Sequence, residues 1–546
     1  MFVRVKQNKN KEVVQIVESI RKRGLPKQKI LRHVGTAHTP KELEKLKELA
    51  YYIITEIKNK REPQIFNFNT LPLPSQSSQH KYQLYVDLNK LTEQQRIITG
   101  IHEIYGNLYK EIGYDLIFKQ QKISKDIIRD LALARLSTPK SKKATVELLK
   151  ETFGINYKLE QIYRALDILK DKKIEQIKTK TYSYTKTLFE QQISLIFYDC
   201  TTLYFESFTQ DELKSYGYSK DNKFNQSQIV MALAVTKEGL PVYYEIFSGN
   251  FYEGYTLKIV IDKLQEKLKI KRMILVADSG LFNKTNLEYL EQNKIEFIVG
   301  ARLKNLSKTW QSKILDSRDF IKINQKEDVL RLFDYQYSNT IRLIVSHSAK
   351  RAEKDKKERD KSIEKLQKRI QKTSNAKNLI SNFGYQKYLK IEGESHISID
   401  DQKLEHASQW DGLHGVFTNV KDLKAQELLE QYHGLWQVEE SFRINKNDLL
   451  IRPIFHWTAR RIKSHIAIVF ISFSLIRFMQ YKLQKSGLKL SAEKISKELN
   501  NRQISILKHL TENSYYAIPS KPTDTLKKIY LEFNKKPLVT PYKIDI

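Results

Sequence analysis

Cysteine is nearly missing from this chain: Cys200 is the only one in 546 residues. That excludes an intramolecular disulfide and a thiolate metal cluster within one chain, and it points to a reducing, intracellular setting. The opening segment, Met1 to Lys11, lacks the apolar stretch of a secretory signal, so a cytoplasmic protein is expected. Long hydrophobic runs are lacking too. The longest, Ile466 to Ile476, contains Ser472 and Ser474 and is flanked by Lys463 and Arg477. It falls short of the ~20 residues of a membrane span and is expected to be a buried helix. Negative charge is outweighed, with 63 Asp and Glu against 95 Lys and Arg, a net +32. So basic a chain calls for a polyanion: nucleic acid first, an anionic membrane surface second and then only peripherally. Aromatics are plentiful, with 30 Tyr and 24 Phe, which excludes a disordered polycation and supplies cores.

The length suggests three to four domains at roughly 150 residues each. Residues 1–62 open with an alternating strand-like segment, Phe2-Val3-Arg4-Val5, and are expected to continue as amphipathic helices over Val13 to Arg23 and Pro40 to Lys60. Pro63 to Tyr82, with Pro72, Pro74, Ser75, Ser77 and Ser78, reads as a linker. Residues 85–185 read as mainly helical. Within them Ala144 to Thr152 and Leu159 to Leu169 are separated by Phe153-Gly154-Ile155-Asn156, with Gly154 as a left-handed stop. This is helix-turn-helix spacing, set among Arg129, Arg135, Lys140, Lys142, Lys143 and Arg164. Lys142, Lys143 and Arg164 are expected to meet DNA; a helical hairpin with a solvated basic face is the plainer alternative.

The middle of the chain carries the clearest order. Leu195 to Asp199, Gln228 to Val235 and Leu240 to Phe247 read as strands, Thr256 to Leu268 as a helix, and Met273 to Asp278 as a buried strand. A helix at Thr285 to Gln292 and a strand at Glu296 to Gly300 follow. The β-β-β-α-β-α-β order is that of a ribonuclease-H-like α/β fold. The predicted catalytic core therefore spans 190–300 and 423–485. Between its parts, 301–422 reads as a β-rich insertion with a charged helical arm at Lys350 to Lys372, and 486–546 as a helical, then irregular, C-terminal tail.

Chemistry concentrates in three carboxylates. Asp199 and Asp278 end strands that this order makes neighbours. Glu439 lies on a predicted helix where Tyr432, Trp436, Glu439, Arg443 and Lys446 recur at helical spacing on one face. Glu440, about 100° round the helix, is the weaker candidate. Two Asp and one Glu suffice to hold Mg²⁺, and two such ions can drive in-line phosphoryl displacement while nearby cations hold the phosphodiester. Each acid taken singly could be a surface charge or a turn former. Cys200 is expected on the opposite face of its strand from Asp199. His414, His433, His456 and His465 show no convincing metal spacing.

These residues resemble those of DDE-type insertion-sequence transposases of the IS-four-like group. The group's Y-x2-R-x3-E-x6-K signature is met by Tyr432, Glu439 and Lys446, with Leu435 at the Arg position. The blocks Y-D-C-T-T-L-Y-F-E from Tyr198, A-D-S-G from Ala277, R-P-I-F-H-W from Arg452 and R-R-I-K-S-H from Arg460 are similar to the group's patterns, as are S-T-P-K-S-K from Ser137 and I-Y-R-A-L-D from Ile162. The resemblance implies a transposase that binds the terminal inverted repeats of its element, cleaves there, and joins the 3′-OH to target double-stranded DNA. It implies Asp199, Asp278 and Glu439 as ligands of two Mg²⁺, with Mn²⁺ as a substitute, and Tyr432, Trp436, Arg443 and Lys446 as DNA contacts. It further implies a homodimer pairing two ends, no membrane partner, and an insertion in which Trp310 would suit stacking on a flipped base. With Leu435 at that position, either the phosphate contact the signature implies is missing or Arg443 replaces it. The rival readings are a non-catalytic, decayed or co-opted DNA-binding protein and a structure-specific nuclease on the same fold.

Overall fold

The computed structural model describes residues 2–8, 11–22, 25–61, 86–189, 195–206, 209–217, 225–268, 273–281, 283–316, 321–325, 328–372, 387–392, 396–512 and 514–544. The expected linker at Pro63 to Tyr82 lies outside them. Two compact units emerge, each assembled from segments distant in sequence. One comprises Met1–Gly106, Lys140–Ile162 and Glu493–Ile546; the other comprises Asn107–Pro139 and Tyr163–Ala492.

The first unit starts with an antiparallel meander of β1 (Phe2–Asn8), β2 (Lys11–Lys22) and β3 (Leu25–Ala37), followed by α1 (Pro40–Arg61). Val14, Ile16, Ala50, Ile53 and Ile54 form its core. Strand β2 corrects the helix expected at Val13 to Arg23. Irregularities in its pairing with β3, at Val14/Gln15 and Ile16/Val17, interrupt the two-residue period. Val14, Ile16 and Val17 are consequently all buried, a spacing that imitates a helix. The apolar residues here, Val13, Val14, Ile16, Val17 and Ile20, are all β-branched and suit a pleated surface better.

Next come β4 (Leu91–Ile98), α2 (Gly100–Ile112), α3 (Lys122–Ser137), α4 (Lys142–Phe153), α5 (Leu159–Ile168) and α6 (Asp171–Thr187). At the start of α4 the Ser141 hydroxyl accepts from the Ala144 N–H. The helix ends on Gly154 at φ 67°, whose N–H donates to the Leu149 carbonyl. Strand β4 falls in a region read from sequence as helical.

The second unit is organised by one large sheet. Strands β5 (Leu195–Tyr204), β6 (Gln228–Thr236) and β7 (Pro241–Ser248) run antiparallel. After α7 (Glu253–Leu268), β8 (Ile274–Ala277) pairs parallel to β5. After α8 (Lys284–Gln292), β9 (Glu296–Ala301) pairs parallel to β8. Then α9 (Lys308–Leu315) leads to β10 (Ile321–Gln325), β11 (Asp328–Gln336) and β12 (Arg342–Ser348). The charged arm α10 (Ala349–Lys372) follows, then a separate hairpin of β13 (Leu389–Glu392) and β14 (His396–Ile399), α11 (Asp401–Ser408) and β15 (Leu413–Thr418).

Strand β15 pairs antiparallel with both β9 and β12. The sheet therefore reads β10-β11-β12-β15-β9-β8-β5-β6-β7, nine strands among the described residues. The β-rich insertion expected at 301–422 thus shares a sheet with the core strands. Four of its strands extend the central sheet, closing the edge that β9 would otherwise leave open.

Successive residues divide between the two sheet faces. Ile196, Tyr198 and Cys200 of β5, Leu275 and Ala277 of β8, and Phe297 and Val299 of β9 join one core with Leu257, Val260, Ile261 and Leu264 of α7 and Leu290 of α8. The opposite face receives α12 (Ala425–His433), α13 (Trp436–Arg443) and α14 (Ala459–Lys485). Helix α14 is long and apolar enough to cross a membrane, but its apolar stretch is buried within the protein, as expected for Ile466 to Ile476.

The chain then forms α15 (Ala492–Asn500), β16 (Gln503–His509), β17 (Tyr515–Pro519), α16 (Asp524–Glu532) and β18 (Tyr542–Ile544). Strand β16 pairs with β4 in the antiparallel sheet β18-β17-β16-β4. Ile97, Ile504, Ile506, Ala517 and Ile544 form its core, so the tail expected to be irregular is ordered.

If the β10–β12 extension belongs to the same core, truncating its buried Leu343 will destabilise the unit. Leu343→Ala should cost about 2–5 kcal/mol, read as a lower urea midpoint with a single transition retained. A separate early transition would instead make the extension an independent piece.

Candidate active site

The last paired residues of β5 and β8 are Tyr198 and Ala277. Asp199 and Asp278 therefore stand side by side, one step beyond. Because Tyr198, Cys200 and Ala277 face the α7–α8 core, strand alternation sends Asp199 and Asp278 to the α12–α13 face. Phe197, two residues before Asp199, meets α12–α13 there: a Cβ on Gly434 would come within 2.5 Å of its ring. Asp199 is half-buried and its Oδ1 accepts from the Cys200 N–H at 2.7 Å. Cys200 lies on the other face as expected. Burial pushes its thiol up to about 12, and it sits 3.2 Å from the Thr256 hydroxyl.

Tyr432 is buried at the end of α12, over Gly300 of β9; a Cβ on Gly300 would meet its hydroxyl at 2.6 Å. That hydroxyl is hydrogen-bonded to Asp278. Burial, then the Asp278 charge and this bond, raise the phenol well above its usual range. The His414 ring of β15 lies 5.1 Å from the Tyr432 ring. Burial lowers His414 to about 4, reinforced by the charge of Arg351. His433 is lowered by the same two causes. Arg351, in the first turn of α10, also acts on Tyr432. Nothing local in a Lys- and Arg-rich arm marks this cation out, and the sequence reading missed it. Only the sheet order reveals it, since β12 ends at the same sheet edge as β8.

The single helix expected from Tyr432 to Lys446 is corrected. At Gly434 and Leu435, and again at Gln437 and Val438, N–H groups donate three residues back. This tightened turn separates α12 from α13. Ile444–Asp448 then forms a π-helical turn carrying half-buried Lys446. Tyr432 and Glu439 thus lie on different helices, with Glu439 in the first turn of α13. Glu439 is exposed and makes no hydrogen bond or ion pair among the described residues. Its neighbour Glu440 is taken by Arg443 at 2.6 and 2.7 Å, and Arg443 also reaches Asp448 at 3.3 Å. Replacement of the signature Arg by Arg443 is therefore not what the geometry provides: Arg443 is committed to carboxylates, and Leu435 is buried. Trp436 is 55% exposed.

The remaining candidates are scattered. Trp310 packs in the β11–β12 extension, 5.2 Å from the Tyr337 ring and 6.1 Å from Tyr335, with the Lys313 ammonium 5.0 Å over it. Lys142 is buried, which corrects its expected place on a DNA-facing surface; Lys143 and Arg164 are exposed. Arg129 and Arg135 are buried too. Arg129 pairs with Asp126 and Asp130, and Arg135 donates to the carbonyls of Leu449 and Leu450.

Asp199, Asp278 and Glu439 offer only hard oxygen donors, which fits a divalent cation such as Mg²⁺ in kind. Among the described residues, no three His, Cys, Asp or Glu side chains lie close enough to hold a metal ion as placed. The aspartate pair and the open Glu439 are a donor set not drawn together.

A mixed sheet with helices on both faces, in which adjacent aspartates stand just past the last parallel pairing of β5 with β8, is consistent with the ribonuclease-H-like core of transposases. Residues 190–475, over half the chain, match the family model for the transposase DDE domain, and the chain belongs to this family. Among solved structures, the Mos1 transposase paired-end complex with left transposon end aligns over 29% of this chain and 53% of that chain, at 13% identity and a TM-score of 0.15. The chain thus spans about half the length of that relative. No curated protein matches it.

Half-buried His414 sets an acid limit. His414 is neutral in the fold and carries a pKa of about 4 against 6.5 unfolded. Between these values the unfolded chain binds more protons, so stability is full above pH 6.5 and falls as pH drops toward 4. Urea midpoints measured across that window should show the loss, and His414→Gln should shrink it. An unchanged slope in the variant would remove His414 as the cause.

Proposed function

We propose that this protein is a DNA transposase of the IS-four-like group. It binds the terminal inverted repeats of its insertion sequence, cleaves at the ends, and joins the freed 3′-OH to target DNA. The observation that carries the reading is the side-by-side exit of Asp199 and Asp278 from parallel strands, beneath a helix on which Glu439 alone of two adjacent glutamates is unpaired. Tyr432, Glu439 and Lys446 at the signature spacing support the subgroup.

Asp199, Asp278 and Glu439 would hold two Mg²⁺ ions, or Mn²⁺ in their place, and these would supply Lewis-acid activation of a nucleophile and charge neutralisation at a phosphate. Tyr432, by donating to Asp278, fixes the direction of that carboxylate. Arg351 brings positive charge to the side of the site where Leu435 brings none, and Lys446 and exposed Trp436 lie along the DNA path. Lys143, exposed at the start of α4, and Arg164, exposed on α5, are further contacts to the backbone of the ends. Two chains pair two ends in a homodimer.

In a plasmid carrying the gene's flanking ends, wild-type protein with Mg²⁺ or Mn²⁺ should cut at those ends. Glu439→Gln and Asp278→Ala should reduce cutting to background while sparing end binding, and Glu440→Gln should retain it. End binding without cutting by the wild type, under either metal, would favour the non-catalytic DNA-binding reading. Loss of cutting in Glu440→Gln but not Glu439→Gln would reassign the third carboxylate. Affinity for the ends should also fall steeply with salt, as expected for a +32 chain that neutralises phosphates; a flat response would contradict phosphate-dominated binding.

A further inference from the structure

Between the π-helical turn and α14, residues 450–458 form a segment whose burial alternates. Ile451, Ile454 and His456 point inward, while Phe455 and Trp457 are 63% and 73% exposed. Phe455 and Trp457 are the two most exposed rings of this segment, and they stand two residues apart as one apolar patch. The segment is held in place from below. Arg135 donates to the Leu449 and Leu450 carbonyls, and the His465 ring bonds the Ile451 carbonyl at 3.0 Å. Leu450 is kept at φ 44°, a region that side-chain-bearing residues rarely adopt. The exposed rings are thus presented on a rigid support.

Cations interleave with the aromatics. The Arg452 guanidinium lies 4.6 Å over the Tyr204 ring, while the Lys214 ammonium, 6.0 Å from the Trp457 ring, is buried and paired with Asp211 at 3.3 Å, so it braces that ring from beneath. Arg460 and Arg461 share a single acid, Asp167, at 3.0 Å each, leaving net positive charge at the start of α14. Tyr204 ends β5, five residues beyond Asp199, on the order of 16 Å along the strand. Rings for base stacking set among cations for the backbone are what a single strand requires, and a duplex with its bases paired has no use for the rings.

We propose that Phe455 and Trp457 form a stacking platform for unpaired bases at the DNA end. The inference rests on the reading that DNA is the substrate, and its test separates the two. Binding by anisotropy would be compared for a blunt terminal duplex and the same duplex with a short unpaired tail. Wild type should prefer the tailed end. The double variant Phe455→Ala/Trp457→Ala should lose that preference by at least about five-fold, in line with the stacking of one base or more, with blunt-duplex affinity unchanged. Trp457→Phe should keep most of it.

Wild-type binding to duplex with no gain from the tail would overturn this inference while leaving the DNA reading standing. So would a double variant that keeps the preference, or one that loses blunt and tailed ends equally. A double variant with tail preference intact but an altered oligomeric state would assign the strip to a second copy instead. Wild-type protein that binds neither DNA would sink both.

Discussion

The tight seating of α12 and α13 on the sheet is the constraint from which the rest of the site follows. Two positions without a Cβ permit it. At Gly434 the helix backbone comes against Phe197 of β5, and at Gly300 the strand leaves room for the Tyr432 hydroxyl. With any larger residue, one wall would have to withdraw from the other. Tyr432 would then lose Asp278, and α13 would carry Glu439 away from the sheet face to which Asp199 and Asp278 point. The same seating explains the interrupted helix. The chain tightens to three-residue turns at 434–438 as it passes Phe197, and this resets the phase of everything after it.

Electrostatics follow the same geometry. The chain carries a large positive excess, yet the sheet edge at the ends of β5 and β8 gathers carboxylates. Where a carboxylate could be neutralised locally it is, as with Glu440 and Arg443 or Asp167 and its two arginines. Glu439 escapes pairing, and Asp278 meets a neutral hydroxyl rather than a cation. Half-buried His414 and its neighbour His433 are held towards the neutral form. Among the described residues, Asp278 and Glu439 thus carry no hydrogen-bonded cation, as suits residues whose counter-charge is to come from a bound ion.

Much of this was legible in the sequence, and the parts that were not share a cause. The strands around Asp199 and Asp278 are short apolar runs ending in an acid, a local pattern, and the placement of Cys200 on the far face follows from alternation alone. The extension β10–β12–β15 was visible as strands, but which edge they join is decided by pairing between β9 and β15 across more than a hundred residues of chain. Strand β2 was misread because irregular pairing gives it a helix-like spacing of buried residues. The separation of Tyr432 from Glu439 by a turn, the burial of Lys142, and the proximity of Arg351 to Tyr432 all depend on what packs against a residue, which no window of sequence reports.

The pairing of β4 with β16 has a consequence for how the protein is made. Leu91–Ile98 is synthesised well before its hydrogen-bonding partner, Gln503–His509, from which the whole of the large-sheet unit separates it. Until then that edge of β4 is an open template able to recruit another chain. Closing so long a loop is slow, so the yield of folded protein is set by a race between the late arrival of β16 and capture of nascent chains by one another.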